Sequence, residues 1–278
     1  MITPRRSTAR VSIARVRGDA SRDVRDVVAV EEPMEIRLSV PGRGEHQVAV
    51  TMRTPGDDFP LAAGFLFGEG LIATRDDVVD LRYCADVEPQ EYNIVTVYLA
   101  PAAAFDPDSL TRNFYTTSSC GVCGKASLEA VEVRGCAPLP AGTPVVSGDA
   151  VRALPGILRE RQRVFERTGG LHAAGLFRPD GELVSLREDV GRHNAVDKII
   201  GECFLEGRLP LSDRVLAVSG RASFEIVQKA LAAAIPIVVA VGAPSSLAVD
   251  LAREFEMTLV GFTKADGYNI YTGRERLA

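Results

Sequence analysis

The sequence predicts an α/β protein, a mostly parallel sheet covered by helices and preceded by a smaller β-rich lobe. Three observations carry this. In the second half, aliphatic runs at 214–219 (RVLAVS), 236–241 (PIVVAV) and 258–262 (TLVGF) alternate with helical segments. Strands apolar on both faces belong in a parallel sheet buried between helix layers. The first third instead alternates apolar and polar residues with a period of two, the mark of strands with one solvated face. Between them lies a stretch rich in Thr, Ser and Gly, which supplies backbone freedom and hydroxyls but little core volume. At 278 residues the chain can build one large domain or two unequal ones. The expected division is a flexible basic tail over 1–25, a β-rich lobe over 26–112 and an α/β domain over 113–278.

Each element has its own signal. Residues 1–25 carry seven Arg and little apolar periodicity, which reads as a tail. Residues 34–40 (MEIRLSV) and 46–54 (HQVAVTMRT) alternate around Pro41-Gly42-Arg43-Gly44 and form a hairpin. Residues 59–71 (FPLAAGFLFGEGL) form an apolar helix, opened by Asp57 or Asp58 as a cap and stopped by the glycines near its end. Residues 78–84 and 93–100 are further strands, and nothing in this first third converges on a site. After the Thr/Ser/Gly stretch, 149–167 is helical with a break near Pro155. A second hairpin joins 171–177 to 182–186, and helices at 194–206, 223–234 and 246–256 separate the aliphatic strands. No internal repeat or low-complexity segment is present.

Composition narrows the function classes. Hydrophobic content of 46% and charged content of 25% suit a soluble globular chain. A net charge of −5 gives no support to nucleic-acid binding. No apolar run approaches the ~18 residues of a membrane span, and the Arg-rich start lacks the apolar region of a secretory signal. Five cysteines with one close pair do not make a disulfide framework, so a reduced, cytoplasmic protein is expected. Of 32 basic residues only Lys125, Lys198, Lys229 and Lys264 are lysines, and each lies in or beside a segment marked below. That placement reads either as function or as coincidence.

Ligands of open parallel sheets bind beyond the carboxyl ends of the strands. The first aliphatic strand runs into Ser219-Gly220-Arg221-Ala222-Ser223, the second into Gly242-Ala243-Pro244-Ser245-Ser246 and the third into Thr263-Lys264-Ala265-Asp266-Gly267. The first two feed helix N-termini through Ser and Gly, whose free N–H groups suit phosphate or carboxylate. Arg221 and Lys264 add full charges. A second polar concentration, 188–197 (EDVGRHNAVD), sets Arg192 and His193 at a loop-to-helix junction. His172 sits inside a strand, where a lone His more often satisfies the core than does chemistry.

The remaining signal is TTSSCGVCGKASLE over 116–129, with Cys120 and Cys123 in a Cys-x-x-Cys spacing and Lys125 directly after. Hydroxyl-rich surroundings and a nearby cation favour a reactive thiolate. Structural zinc needs four ligands, and Cys84, Cys136 and Cys203 supply no second close pair. A thioredoxin-like pair would follow a strand and open a helix, whereas this one precedes the parallel sheet. A zinc deaminase needs His-x-Glu and then Pro-Cys-x-x-Cys, but the chain has His172-Ala173-Ala174 and Ser119 before Cys120. A sulfur relay, in which one thiolate accepts and passes on a sulfur atom, stands beside a zinc-holding cofactor chaperone and a dithiol oxidoreductase.

TTSSCGVCGKASLE, TGGLHAAGLF, EDVGRHNAVDKIIG, SGRASFEIVQKA, APSSLAV and GFTKADGYNIY occur in that order over about residues 111–273. In these six motifs the chain resembles the formate dehydrogenase accessory sulfurtransferases (FdhD); the N-terminal part matches more loosely. The resemblance implies a cytidine-deaminase-like fold and a cytoplasmic homodimer. It implies that sulfur is taken from a cysteine desulfurase as a persulfide on Cys120. The sulfur then passes to the molybdenum cofactor in its bis-molybdopterin guanine dinucleotide form, bound as substrate, before insertion into the formate dehydrogenase catalytic subunit. Cys123 matches the second loop cysteine. Phe262, Thr263, Lys264, Ala265, Asp266 and Gly267 match the cofactor-binding segment, and Gly220, Arg221, Ser223, Ala243, Ser245, Arg192 and His193 complete the expected site. A guanine nucleotide is the expected mimic, no structural metal is expected, and neither nucleic acid nor membrane is an expected partner. Gly242 stands where the family more often has Ser, which removes one hydroxyl from the expected anion contacts.

Overall fold

The computed structural model describes residues 6–84, 91–103 and 138–278. Cys120, Cys123, Lys125 and Cys136 lie outside the described residues.

Strands β1 (Thr8–Arg17) and β2 (Ala20–Ala29) pair antiparallel as a two-stranded ribbon. From Thr8 onward the expected unstructured tail is therefore a hairpin. Its strands are mostly exposed, so little burial was available to write an amphipathic pattern into the sequence. The lobe that follows is a four-stranded sheet in the order β4 (Gly44–Arg53), β3 (Glu32–Val40), β6 (Ile94–Leu99), β5 (Val78–Tyr83). Its inner face buries Met34, Ile36, Leu38, Val95 and Val97 against Leu61 and Leu66 of helix α1 (Asp58–Gly68). Neither aspartate caps that helix with its side chain. Asp57 takes the N-cap position at φ 56° without a side-chain capping bond, and Asp58 accepts from Arg53 Nε and Nη2, both at 3.0 Å.

A helix that is apolar all round needs cover on both sides. For α1 the second cover is α4 (Arg192–Leu205), and the two backbones meet at glycines. A Cβ on Gly64 would lie 1.9 Å from the Asp197 carbonyl oxygen, and one on Gly201 1.8 Å from that of Pro60. The lobe is thus fastened to the α/β part by a contact only hydrogen side chains permit.

The larger sheet has the order β12 (Gly267–Thr272), β11 (Thr258–Lys264), β10 (Ile237–Ala240), β9 (Val215–Val218), β7 (His172–Phe177), β8 (Leu183–Asp189). Strands β9, β10 and β11 are parallel, whereas β7, β8 and β12 join antiparallel at the flanks. The α/β class with a smaller β-rich lobe holds, and the parallel pairing belongs to the three central strands. These are also the strands covered on both faces. Leu216, Val218, Val238 and Leu259 pack under α4, α5 (Phe224–Ala232) and α6 (Ser246–Glu254). Val215, Ile237, Val239 and Val260 pack on α2 (Gly148–Arg161). Strand β12 has no aliphatic run to announce it (GYNIYT), because none of its residues is fully buried.

Helix α2 continues through Pro155, and the break falls at Gln162 (φ −76°, ψ 78°), before the short α3 (Arg163–Thr168). Val151 and Leu154 before the proline and Leu158 after it are all buried, so packing holds the helix across one missing N–H bond. Among the described residues no helix is long and apolar enough to cross a membrane.

Candidate functional site

The loops that leave β9 and β10 are joined edge to edge beyond the strands, and the second of them is joined to β11 at Phe262. Gly242 N donates to Gly220 O at 2.9 Å, Phe262 N to Gly242 O at 3.1 Å and Ser245 N to Ala222 O at 3.0 Å. The strand ends therefore form one continuous rim. Gly242 is held closely: a Cβ there would lie 3.0 Å from both Gly220 O and Arg221 Cγ. The Arg221 stem occupies the space that a side chain at 242 would need.

The two serines at the helix starts do different things. Ser245 caps α6 in the expected manner, its Oγ accepting from Ala248 N at 3.3 Å. Ser223 makes no capping bond; its Oγ lies 2.9 Å from His193 Nε2. The first N–H groups of α5 thus lack a side-chain cap at the rim, where the positive end of the helix dipole favours an anion. His193 Nε2 also lies 2.7 Å from Glu225 Oε2, and that hydrogen bond holds the Glu225 carboxyl below its usual range.

Arg192 and His172 complete this corner. A Cβ on Gly220 would lie 3.4 Å from His172 Nδ1 and 3.9 Å from Arg192 Cδ. Burial, followed by the charges of Arg192 and His193, lowers the His172 imidazole below its ordinary value. The Nε of Arg192 is buried with no hydrogen-bond partner among the described residues, as is the Oγ1 of Thr263. Both are donors that a bound acceptor would satisfy. His172, read from sequence as a core residue, instead is half-buried at the end of β7, with Ser219 Oγ accepting from the neighbouring Ala173 N at 2.8 Å. No sequence signal separates that position from an ordinary strand histidine; the sheet order does.

Phe262 is exposed at 46% and sits at φ 53°, a conformation a bulky residue rarely adopts without a compensating role. Lys264, Ala265 and Asp266 lie exposed at the tip of the β11–β12 hairpin, where Lys264 pairs with Gly267. They share the sheet edge with the Gly220 and Gly242 loops but stand beyond the hydrogen-bonded rim. Arg221 is exposed beside it.

The rest of the 188–197 segment turns inward. Asp189 accepts from Thr54 N at 3.1 Å, Gly191 N at 2.8 Å and Asn194 Nδ2 at 2.9 Å, and lies 2.7 Å from Lys198 Nζ. Asn194 Nδ2 also donates to Met52 O at 2.7 Å, so this network ties β4 to α4. Lys229 Nζ pairs with Asp197 at 2.7 Å, and burial pushes the Asp197 carboxyl up to about 6. Two of the four lysines, Lys198 and Lys229, are thus buried ion-pair partners holding helices in place. Cys203 is likewise inert: burial raises its thiol to about 11. Among the described residues no group of three or more His, Cys, Asp or Glu is placed to hold a metal ion. A separate cavity of about 340 Å³ opens where the lobe meets β8, lined by Thr54, Gly56, Arg161, Arg163 and Arg187 among others. The first third therefore does reach a concave surface, through its 54–57 loop.

The family model described as FdhD/NarQ matches residues 29–278. The chain is 52% identical over 277 residues to the sulfur carrier protein FdhD of Streptomyces coelicolor, covering 98% of this chain and 96% of that one. It is 53% identical over 260 residues to the sulfur carrier protein FdhD of Mycobacterium tuberculosis, covering 91% and 92%. Among solved structures, a putative formate dehydrogenase accessory protein from Desulfotalea psychrophila shares the fold. Its TM-score is 0.75 at 24% identity, over 98% of this chain and 100% of that one.

Proposed function

The chain belongs to the FdhD/NarQ family, and from that premise we propose that it is a sulfur carrier of the formate dehydrogenase pathway, loaded as a persulfide on Cys120. The Cys120 thiolate attacks the outer sulfur of a cysteine desulfurase's persulfide. A new S–S bond forms on Cys120, the donor's S–S bond breaks, and the donor leaves as thiolate. Cys123 and Lys125 stand close enough in sequence to assist ionisation or resolution of the loaded state. The acceptor is the bis-molybdopterin guanine dinucleotide form of the molybdenum cofactor, bound as substrate in the cytoplasm before it enters the formate dehydrogenase catalytic subunit. The working unit is a homodimer.

The observation that carries the acceptor half is the rim itself. Two strand-end loops and β11 at Phe262 hydrogen-bond into one edge, flanked by the uncapped start of α5 and by Arg192 with its unsatisfied buried Nε. Phosphates of a dinucleotide are the acceptors such donors suit. Arg221 and Lys264 add charge, and Phe262 offers an exposed ring to a base.

Two measurements test the two halves. Incubation with a desulfurase and cysteine, followed by peptide mass spectrometry, should show added sulfur on Cys120 and little on a Cys120→Ala chain; equal loading of both would sink the persulfide assignment. Titration with GDP as the cofactor mimic should bind the wild type and lose about ten- to a hundredfold in affinity in Arg221→Ala, the worth of one charge-assisted contact. Unchanged affinity would remove the rim from the site.

A further inference from the structure

The cavity between the lobe and β8 takes no part in the sulfur transfer proposed above. Its volume of about 340 Å³ falls at the small end of ligand sites, which run from about 300 to 1,000 Å³. Four segments distant in sequence wall it: the 54–57 loop, the α2–α3 junction, β8, and Ser7 at the root of the β1–β2 ribbon. Val164, Leu171 and Leu186 supply an apolar side. Most of the charges in the lining already have partners. Lys198 Nζ lies 2.7 Å from Asp189 Oδ2 and donates to Thr54 O at 3.0 Å. Arg187 pairs with Glu202 and, at 3.5 Å, with Asp57. Glu188 accepts from Val164 N at 3.0 Å and Phe165 N at 2.8 Å, which fixes its carboxylate on α3.

Arg161 and Arg163 stand apart. Both line the cavity and are exposed, and among the described residues neither has an ion-pair partner. In an unbroken helix, residues two apart face roughly opposite sides. Here the break falls between them, at the buried Gln162, and both arginines reach the same cavity. The lining is left with two unmatched positive charges beside an apolar wall. Guanidinium forks match phosphate oxygens bidentately. A phosphate monoester carries about −1.5 to −2 at pH 7, which balances the pair, whereas a single carboxylate leaves one charge over.

We propose that this cavity binds a small phosphorylated molecule, its phosphate between Arg161 and Arg163 and its body against Val164, Leu171 and Leu186. The site is distinct from the strand-end rim. Asp189, which Lys198 binds from the cavity side, is the register partner of His172 at the rim, so a buried ion pair stands between the two. The proposal goes beyond the sulfur-carrier reading and does not rest on it. Two sources would supply such a phosphate: a free phosphorylated molecule, or the phosphoryl end of a guanine nucleotide.

Phosphorus NMR titration of the full chain with inorganic phosphate tests the site, using Arg161→Ala/Arg163→Ala against two controls. One is Arg159→Ala/Arg167→Ala, exposed arginines of the same two helices outside the cavity lining. The other is Arg221→Ala at the rim. All of these side chains are exposed, so each variant should keep the wild-type melting transition. The wild type should bind phosphate, the cavity variant should bind it tenfold or more weaker, and both controls should stay within about twofold. Equal loss in the cavity variant and the Arg159→Ala/Arg167→Ala control would reduce the signal to general surface charge and overturn the site. Loss in Arg221→Ala with binding kept in the cavity variant would move the phosphate to the rim and overturn it as well. A wild type that binds no phosphate overturns it outright. Repeating the titration with GDP present separates the sources: undiminished phosphate binding identifies a free molecule, and displacement identifies the nucleotide's phosphoryl end. Sulfur loading on Cys120 should be unchanged in the cavity variant and reports on the carrier reading separately.

Discussion

His172 and Arg192 show how much one side chain's surroundings decide. A histidine pressed by burial and by two basic neighbours, with only Asp189 pulling the other way, resists protonation in the folded chain. The unfolded chain takes up a proton near pH 6.5, so this residue's share of stability is present above that pH and is lost as pH falls through it towards the lowered folded value. An anionic ligand beside Arg192 reverses the bias by favouring the imidazolium. GDP binding should therefore tighten as pH drops from 7.5 to 6 and take up protons, which calorimetry in two buffers of different ionisation enthalpy would detect. His172→Asn should flatten that pH dependence while leaving binding at pH 7.5 close to wild type; a pH profile identical in the two proteins would place His172 outside the ligand's field. None of this was legible in the sequence, where His172 stands in an unremarkable apolar strand. The position of Arg192 and His193 was legible, because a polar pair at a loop-to-helix junction lies where a sheet of this kind ends.

Helices α5 and α6 begin alike in sequence, each with a Ser after a Gly- or Pro-containing turn, yet their serines serve different ends. Ser245 satisfies the N-terminus of its own helix, so Ser245→Ala should cost about 1 kcal/mol of stability by denaturant titration. Ser223 is turned to His193, so Ser223→Ala should cost less, within about 0.5 kcal/mol, and show itself mainly in GDP affinity. If the two substitutions cost the same stability, the α5 start is not the free anion cradle described above. The strand ends were foreseeable because aliphatic runs followed by Gly and Ser mark where a parallel sheet stops. The limits of that reading are also physical. Strand β12 and the β1–β2 ribbon bury too little to leave a period-two record, and α2 runs through Pro155 because three leucine and valine anchors outweigh one lost hydrogen bond. Within 188–197 the residue types alone could not say that Asp189, Asn194 and Asp197 turn inward while Arg192 and His193 turn outward.

At the scale of the molecule, the lobe and the larger sheet are held together by the α1–α4 contact and by the charged groups sealed around it. The glycine contact tolerates no side chain: Gly64→Ala or Gly201→Ala must push the helices apart, at about 3 kcal/mol and roughly 6–12 °C in Tm. Because the helices belong to different cores, both should melt in one transition, with calorimetric and van't Hoff enthalpies agreeing; separate transitions would show the contact to be incidental. Lys229 lies at the same junction, its Nζ 3.2 Å from where a Gly68 Cβ would stand and 5.6 Å from the Phe65 ring centroid. Lys229→Met leaves the Asp197 carboxylate buried without its counter-charge, which should cost about 3–5 kcal/mol at pH 7. Asp197 already titrates near 6, above its unfolded value of 3.8, because burial favours the neutral acid. Lys229 holds that value down, so in Lys229→Met the carboxyl lies higher still. As pH falls from 7 to 5 the wild type loses its charged pair while the variant already carries the neutral acid, so the Lys229→Met deficit should shrink over that window. A deficit that stays constant from pH 7 to 5, followed by thermal melts at half-unit steps, would mean the loss comes from packing and not from an uncompensated charge. In that case Lys229→Met/Asp197→Leu, which removes both charges, would recover no stability over the single variant, whereas charge burial requires that it recover most of it.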